Sequence, residues 1–375
     1  MTQFFDSAPW NTAVNPSPLS SVEVRLCLLR DGEDSEWDAF VCQHAEGMPY
    51  HLSGWSDFLE EVFPQTNGAV VVLRDSASGE IRAGIHLYEA KSLLSGRRWI
   101  SSPFAALGGG LGASPKELEL LLDGIVALHG QSGSLRIELR GLRPTAVPPA
   151  GAFESCSEHL HHYLELADRP EALMPGISRS VRRWLVKADR AGIEMRAGAP
   201  REIIAALGTL HQQARQRLGL PIYPGRLFEA LRHHLPDDVV SVTSAVRDGK
   251  VLGVLMSLNL GDWTIAEHIG VDDDARALGV SQKLYWNDIE RAISEGRRFY
   301  SFGRTAVSNS GLLRFKRAWG TTEELLSIGV HAREGERSSS RFKVSRMSPL
   351  ARSVFRSMPG PIAKVVGGYF YRHWA

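Results

Sequence analysis

The chain has 375 residues, 43% of them apolar and 23% charged, with a formal net charge of +1. That length suits two lobes of ordinary size, and the balanced charge excludes the global basic excess of a dedicated nucleic-acid binder. The three cysteines, Cys27, Cys42 and Cys156, lie far apart with no Cys-x-x-Cys pair, which argues against a disulfide framework or a thiolate zinc site and predicts a reducing compartment.

Residues 1–21 are rich in Ser, Pro and Asn and read as a flexible lead-in, without the basic and apolar regions of a secretory signal. No stretch is apolar for long enough to span a bilayer, so the sequence predicts a cytoplasmic protein. From Val22, VEVRLCLL alternates as a strand. HLSGWSDFLEEVF then places Trp55, Phe58, Leu59 and Val62 at helical spacing, with His51 and Trp55 one turn apart. GAVVVLRD and IRAGIHLYEAKSL predict paired strands. RRWISSPFAALGGGLG predicts a strand running into a flexible glycine-rich loop, whose amides suit an anionic head group. Ser114 caps the next helix, with Pro115 in its first turn. The strands LRIELRG and HLHHYLEL follow.

ISRSVRRWLVKADRAGIEM carries two helical stripes. Val181, Trp184, Leu185 and Ala188 form the apolar one; Arg179, Arg183, Lys187 and Arg190 form the basic one. The order of helix, paired strands, helix and strand then returns. It runs through the helix IIAALGTLHQQARQRL, the strands VVSVTSAVRDGK, VLGVLMSLNL and DWTIAEHIGV, the helix SQKLYWNDIERAISEG and the strand RRFYSFG. This repetition predicts two lobes of one fold. After Arg337 the chain carries Arg and Lys but no Asp or Glu. Its end reads as short helices broken at Pro359-Gly360-Pro361, free to dock on the second lobe or to touch an anionic membrane surface at its inner face. The expected divisions are 22–165, 166–200, 201–335 and 336–375.

Several segments together carry a resemblance: HLSGWSDFLEEVF, LLSGRRWISSPFAALGGGLG, LRIELR, RRWLVKADRAGI, ARQRLGLPIYPGRLFEAL, LYWNDIERAISEGRRFYSFGRTAVSNSGLLRFKRAWG and SPLARSVFRSMPGPI. In order and spacing they resemble the FemAB-like proteins associated with the exosortase/PEP-CTERM system, within the FemAB and GNAT acyltransferase superfamily. The resemblance implies an α/β (α+β) fold of two tandem GNAT-like lobes, each a central mixed, mostly antiparallel sheet flanked by helices. It also implies an N-acyltransferase or aminoacyltransferase. The donor would be acyl-CoA or aminoacyl-tRNA, and the acceptor a small-molecule, glycan or peptide amine related to the cell envelope or exopolysaccharide. The alternative is a catalytically decayed transferase that binds a glycan or a partner.

Amide formation needs a place for the donor's phosphates, a donor to the developing oxyanion and a base for the amine. Arg276-x-x-Gly279-x-Ser281, between a strand and a helix, resembles the family's pyrophosphate loop, and amides at a helix N-terminus suit phosphate. Phe315-Lys316 matches the family's Phe-Lys-x-x-Trp/Phe-Gly signature. It implies donor contact through Phe315 and charge neutralisation by Lys316; the alternative is a surface lysine between Arg314 and Arg317. Arg304 ends a strand where a ligand is expected, although Ser301 stands where the family carries aspartate. Either Glu267 or His268 accepts the amine's proton, and strand alternation lets only one face the cleft. His51 and Trp55 are acceptor-pocket candidates, with core packing the stronger reading of Trp55 on its own, and Arg183 and Lys187 suit phosphate or tRNA contacts or else form a solvated helix face. His159, His161 and His162 lack a clear further ligand, so no metal is expected.

Overall fold

The computed structural model describes residues 12–14, 24–29, 32–64, 66–92, 96–130, 134–144, 152–332 and 349–371. Most of the expected lead-in and the loop RSSSRFKVSR lie outside the described residues. The chain divides into two compact units: residues 1–158 with 325–345 and 372–375, and residues 159–324 with 346–371.

In the first unit β1 (Thr12–Val14), inside the expected lead-in, pairs with β2 (Val24–Leu28). Helices α1 (Asp34–Gln43) and α2 (Ser53–Val62) follow, then β3 (Asn67–Asp75), β4 (Ile81–Ser92), β5 (Gly96–Ser101) and the short β6 (Leu111–Gly112). Helix α3 (Pro115–His129) starts at Ser114, whose Oγ accepts the Glu117 N–H and donates to its carboxylate, a closed capping pair. The sheet runs β1-β2-β3-β4-β5-β7, with β7 at Arg136–Leu142. It is antiparallel except where β5 meets β7. Val71, Ile85, Leu87 and Ile137 of the sheet pack against Leu121, Leu122 and Ile125 of α3.

The second unit takes its first strand from β8 (Glu154–Glu165), then α4 (Arg179–Arg190), β9 (Glu194–Ala197), α5 (Arg201–Leu218) and α6 (Leu227–His234). Its remaining strands are β10 (Val240–Arg247), β11 (Lys250–Leu260), β12 (Trp263–Val271) and β13 (Phe299–Ala306). Helix α7 (Val280–Ser294) joins β12 to β13, and α8 (Ser310–Arg317) precedes β14 (Thr322–Ala332). The strand order is β8-β13-β12-β11-β10-β9. Only β12 and β13 run parallel.

Two glycines set the layers. A Cβ on Gly253 would sit 2.8 Å from the Val280 side chain, and one on Gly270 would sit 2.8 Å from Leu210. Gly253 pairs with Val271 and Val254 with Gly270, so the two glycines face opposite ways. Helices α7 and α5 therefore cover opposite faces of the sheet. The apolar stripe of α4, Val181, Leu185 and Ala188, is buried within this unit and packs with Leu284 and Ile289 of α7. Helices α9 (Pro349–Ser357) and α10 (Gly360–Tyr371) break at the expected prolines. They lie on α5: Gln216 Nε2 donates to Met358 O at 2.7 Å, and Tyr371 stacks on Tyr223.

Candidate active site

Strands β12 and β13 pair only from Trp263–Phe299 to Ile265–Ser301. Beyond that point β12 continues along β11 and β13 continues along β8, so the sheet parts between them at the carboxyl ends of two parallel strands. The slot is walled by main-chain edges that have no ladder partner across it. Both walls are bulged where they separate. On β12, Met256 pairs with His268 and Ser257 with Ala266, leaving Glu267 as the extra residue. On β13, Ser301 pairs with Tyr163 and Arg304 with His161, again with one residue too many. Gly303 supplies a φ of +70° there, and Ser301 Oγ accepts its N–H at 3.0 Å.

The bulge changes what alternation predicts for Glu267 and His268. Alternation would send the two side chains to opposite faces, yet His268 Nε2 and Glu267 Oε1 stand 4.0 Å apart. His268 enters a ring cluster of His211, Tyr223 and Phe228, with Arg215 over the Tyr223 face at 4.2 Å. Burial, and then the Arg215 charge, push the His268 pKa down to about 3, so the imidazole stays neutral at physiological pH. Burial likewise holds His211 well below the usual histidine range. A pocket of about 210 Å³ adjoins these rings, lined among others by Gly208, His211, Tyr223, Phe228 and Lys364. Tyr223 and Phe228 lie in the segment ARQRLGLPIYPGRLFEAL, whose pattern marks neither as a site residue. The rings and the pocket lining come from α5, the following loop, α6, β12 and α10, and no local pattern links them.

Lys316 lies deeper than a lysine between Arg314 and Arg317 suggests: it is 5% exposed. Its Nζ donates to Gly303 O at 2.9 Å and Arg304 O at 3.2 Å, tying α8 to the bulge of β13. Burial lowers its pKa to about 7, so its charge is conditional rather than fixed. Phe315 packs with Tyr285 and Trp319 in the core, and Arg304 is exposed at the end of β13.

The loop before α7 is placed as expected. Arg276–Leu278 forms one 3-10 turn, Gly279 takes φ +84°, and α7 begins at Val280 with Ser281 in its first turn. No side chain caps that end, so its first amides point outward with the positive end of the helix dipole. Arg276 is half exposed, with Asp273 at 3.8 Å. A Cβ on Gly279 would stand 2.5 Å from Trp184 O, so α4 passes directly beside this loop. Arg183 and Lys187 line an open trough of about 680 Å³ along α4 with Arg179, Arg182 and Arg190. Beneath the slot, buried Asp288 of α7 accepts from Ser257 Oγ (2.6 Å), Tyr300 Oη (2.8 Å) and Arg291, locking the helix to β11 and β13. This anchor also went unread in the sequence, because an Asp inside a helix ordinarily faces water.

The first-unit expectations for His51 and Trp55 need correction. Their helix starts at Ser53, and His51 belongs to a separate 3-10 turn, Pro49–His51, so the two are not one helical turn apart. Both are buried, His51 at 2% and Trp55 at 2% exposure, and Trp55 packs on Tyr50 and Phe58. The expected flexible loop is likewise packed: Ser101 and Ser102 are buried, and Ser101 Oγ accepts the Arg140 N–H. His161 shares a 2.8 Å hydrogen bond with Ser301, and His162 lies 3.5 Å from Glu323. Among the described residues no group of three or more His, Cys, Asp or Glu is set to hold a metal. Nor is any helix among them long and apolar enough to cross a membrane.

Residues 177–317 match the family model of the acetyltransferase (GNAT) domain. A crystal structure of FemX is similar with a TM-score of 0.66 at 13% identity, over 80% of this chain and 96% of that one. The C-terminal domain of a putative lysylphosphatidylglycerol synthetase from Agrobacterium fabrum gives 0.51 at 14% identity, over 80% and 91%. L-PGS from Bacillus licheniformis gives 0.52 at 13%, over 83% and 95%. At such identities the likeness is one of fold. No curated protein sequence matches the chain.

Proposed function

Taking residues 177–317 as a GNAT acetyltransferase domain, we propose that this protein is an N-acyltransferase or aminoacyltransferase working in the slot between β12 and β13. The observation that carries the reading is the parting of these strands at Ile265–Ser301, with Glu267 bulged out at its mouth and the start of α7 following β12. The donor is an acyl-CoA or an aminoacyl-tRNA, both of which present phosphate beside an activated carbonyl. The phosphate sits on the amides of Val280 and Ser281 with Arg276 beside it, and Gly279 allows the close approach. Arg183 and Lys187, on the helix passing that loop, take the donor's further phosphates.

The donor carbonyl lies along the slot, where unpaired main-chain N–H groups of β12 meet the oxyanion as the amine attacks. Glu267 takes the amine's proton, directly or through one water. His268 is a weak base at its depressed pKa and acts by holding the acceptor in place. The C–S or C–O bond to the donor then breaks, and the leaving group is released with a proton. Lys316 keeps the β13 wall in shape and adds positive charge in proportion to its protonation. Arg304 contacts whichever substrate leaves by that wall, while Phe315 supports it from the core. The resemblance to the exosortase/PEP-CTERM-associated branch supports an acceptor amine related to the cell envelope or exopolysaccharide.

The test is donor-dependent stabilisation and transfer across a panel of acyl-CoAs and charged tRNAs. A cognate donor at 100 times its Kd should stabilise the fold by about 2.7 kcal/mol. Glu267→Gln should lower kcat about 100-fold while leaving that stabilisation intact. Absence of both stabilisation and transfer with every donor would overturn the reading.

A further inference from the structure

Helices α9 and α10 bury one face and leave the other bare. Phe355, Ala363 and Tyr371 are buried, and Gly367 packs so closely that a Cβ there would lie 2.3 Å from Ile222 O. The outward face carries Val354 at 51% exposure, Ile362 at 54%, Val365 at 75% and Tyr369 at 59%. Ile362, Val365 and Tyr369 follow spacings of three and four, so they form one continuous stripe on α10. Four large apolar side chains at this exposure within two short helices are unusual for a face meant for water alone.

The charge carried by the two helices is of one sign. Arg352 and Arg356 are exposed on α9, and Lys364 is exposed on the pocket side of α10. The whole stretch from Arg337 onward adds Arg341, Lys343, Arg346 and Arg372 with no Asp or Glu. An apolar stripe on helices that carry cations and no acidic residue complements a surface that is apolar just beneath a layer of negative charge. A protein partner would need a matching acidic rim around an apolar groove; an anionic bilayer offers both without further design. Tyr369, with an apolar ring and a polar tip, suits the boundary between the two.

We propose that the α9–α10 pair is an interfacial anchor that lays the Ile362–Val365–Tyr369 stripe into the surface of an anionic membrane. On the other side of the same helix, Lys364 lines the pocket beside His211 and Tyr223, and Tyr371 stacks on Tyr223. Docking therefore brings that pocket to the level of the lipid head groups. The anchor does not depend on the transfer chemistry, and donor-induced stabilisation reports on that chemistry separately.

The experiment is co-sedimentation of the full chain with vesicles of phosphatidylcholine, with and without about one third phosphatidylglycerol. Binding should require the anionic lipid and weaken as salt rises. The double variant Ile362→Glu/Val365→Glu should reduce the bound fraction about tenfold or more at an unchanged melting temperature, because both side chains are more than half exposed. Arg352→Gln should weaken binding less and flatten its salt dependence. Equal sedimentation with neutral and anionic vesicles would overturn the proposal, as would a double variant that binds like the wild type. So would self-association in light scattering that the double variant abolishes while vesicles go unbound, which would make a second copy the occupant.

Discussion

Between pH 6 and 9 the wild-type protein should gain stability over a Lys316→Met variant, by an amount set by how far burial has moved one amine. Lys316 is 5% exposed, and its polar contacts are two main-chain carbonyls, Gly303 O and Arg304 O. Burial brings its pKa from 10.5 to about 7. The unfolded chain keeps that proton up to about 10.5, whereas the native protein releases it near 7. Between these values the unfolded state binds the extra proton, so stability rises with pH; below 7 and above 10.5 the slope vanishes. At about 1.4 kcal/mol per pH unit, with onset near 7, the gain accumulates to about 2–3 kcal/mol from pH 6 to pH 9. Methionine keeps the unbranched stem and does not titrate, so subtracting the variant's stability cancels the titrating groups that do not feel Lys316; His162, whose pKa the Lys316 charge helps to lower, is replaced in both proteins. A wild-type-minus-variant difference that stays flat across this range would refute the buried, depressed lysine.

Asp288→Asn removes the charge that Arg291 pairs and reverses part of the hydrogen-bond polarity facing Ser257 and Tyr300. It should cost about 3–5 kcal/mol in chemical denaturation followed by tryptophan fluorescence. Gly279→Ala and Gly303→Ala form a matched pair. Both residues have positive φ, +84° and +70°, but a Cβ at 279 meets Trp184 O at 2.5 Å while one at 303 meets nothing within 4 Å. Gly303→Ala should therefore cost about 1–2 kcal/mol for backbone strain alone. Gly279→Ala should cost about 2 kcal/mol more and also raise the Kd for coenzyme A, read by calorimetry.

The elements that were legible in the sequence are those whose pattern is local. The stripes of α4 follow a 3.6 period, the Ser114 cap with Pro115 marks the start of α3, and the segments VVSVTSAVRDGK and VLGVLMSLNL form the paired strands β10 and β11. What escaped depends on irregularity or distance. The helix expected from His51 begins only at Ser53, because Leu52 stays extended at ψ 149° and no apolar count reveals that. Glu267 and His268 defied alternation because one inserted residue in β12 resets the period. The burial of Lys316 behind two arginines rests on main-chain carbonyls of the bulged β13, which no local pattern announces. The ring cluster around His268 draws on segments separated by dozens of positions, joined by the crossing of α5 over β12 at Gly270.

The slot has a further consequence for how such a protein diversifies. Both of its walls, the helix that heads it and the lysine that braces it fall in one uninterrupted stretch from Trp263 to Arg317. The neighbouring pocket is assembled instead from α5, the loop after it, α6 and the distant α10. Substitutions in those outlying pieces can therefore reshape the pocket while leaving the slot untouched.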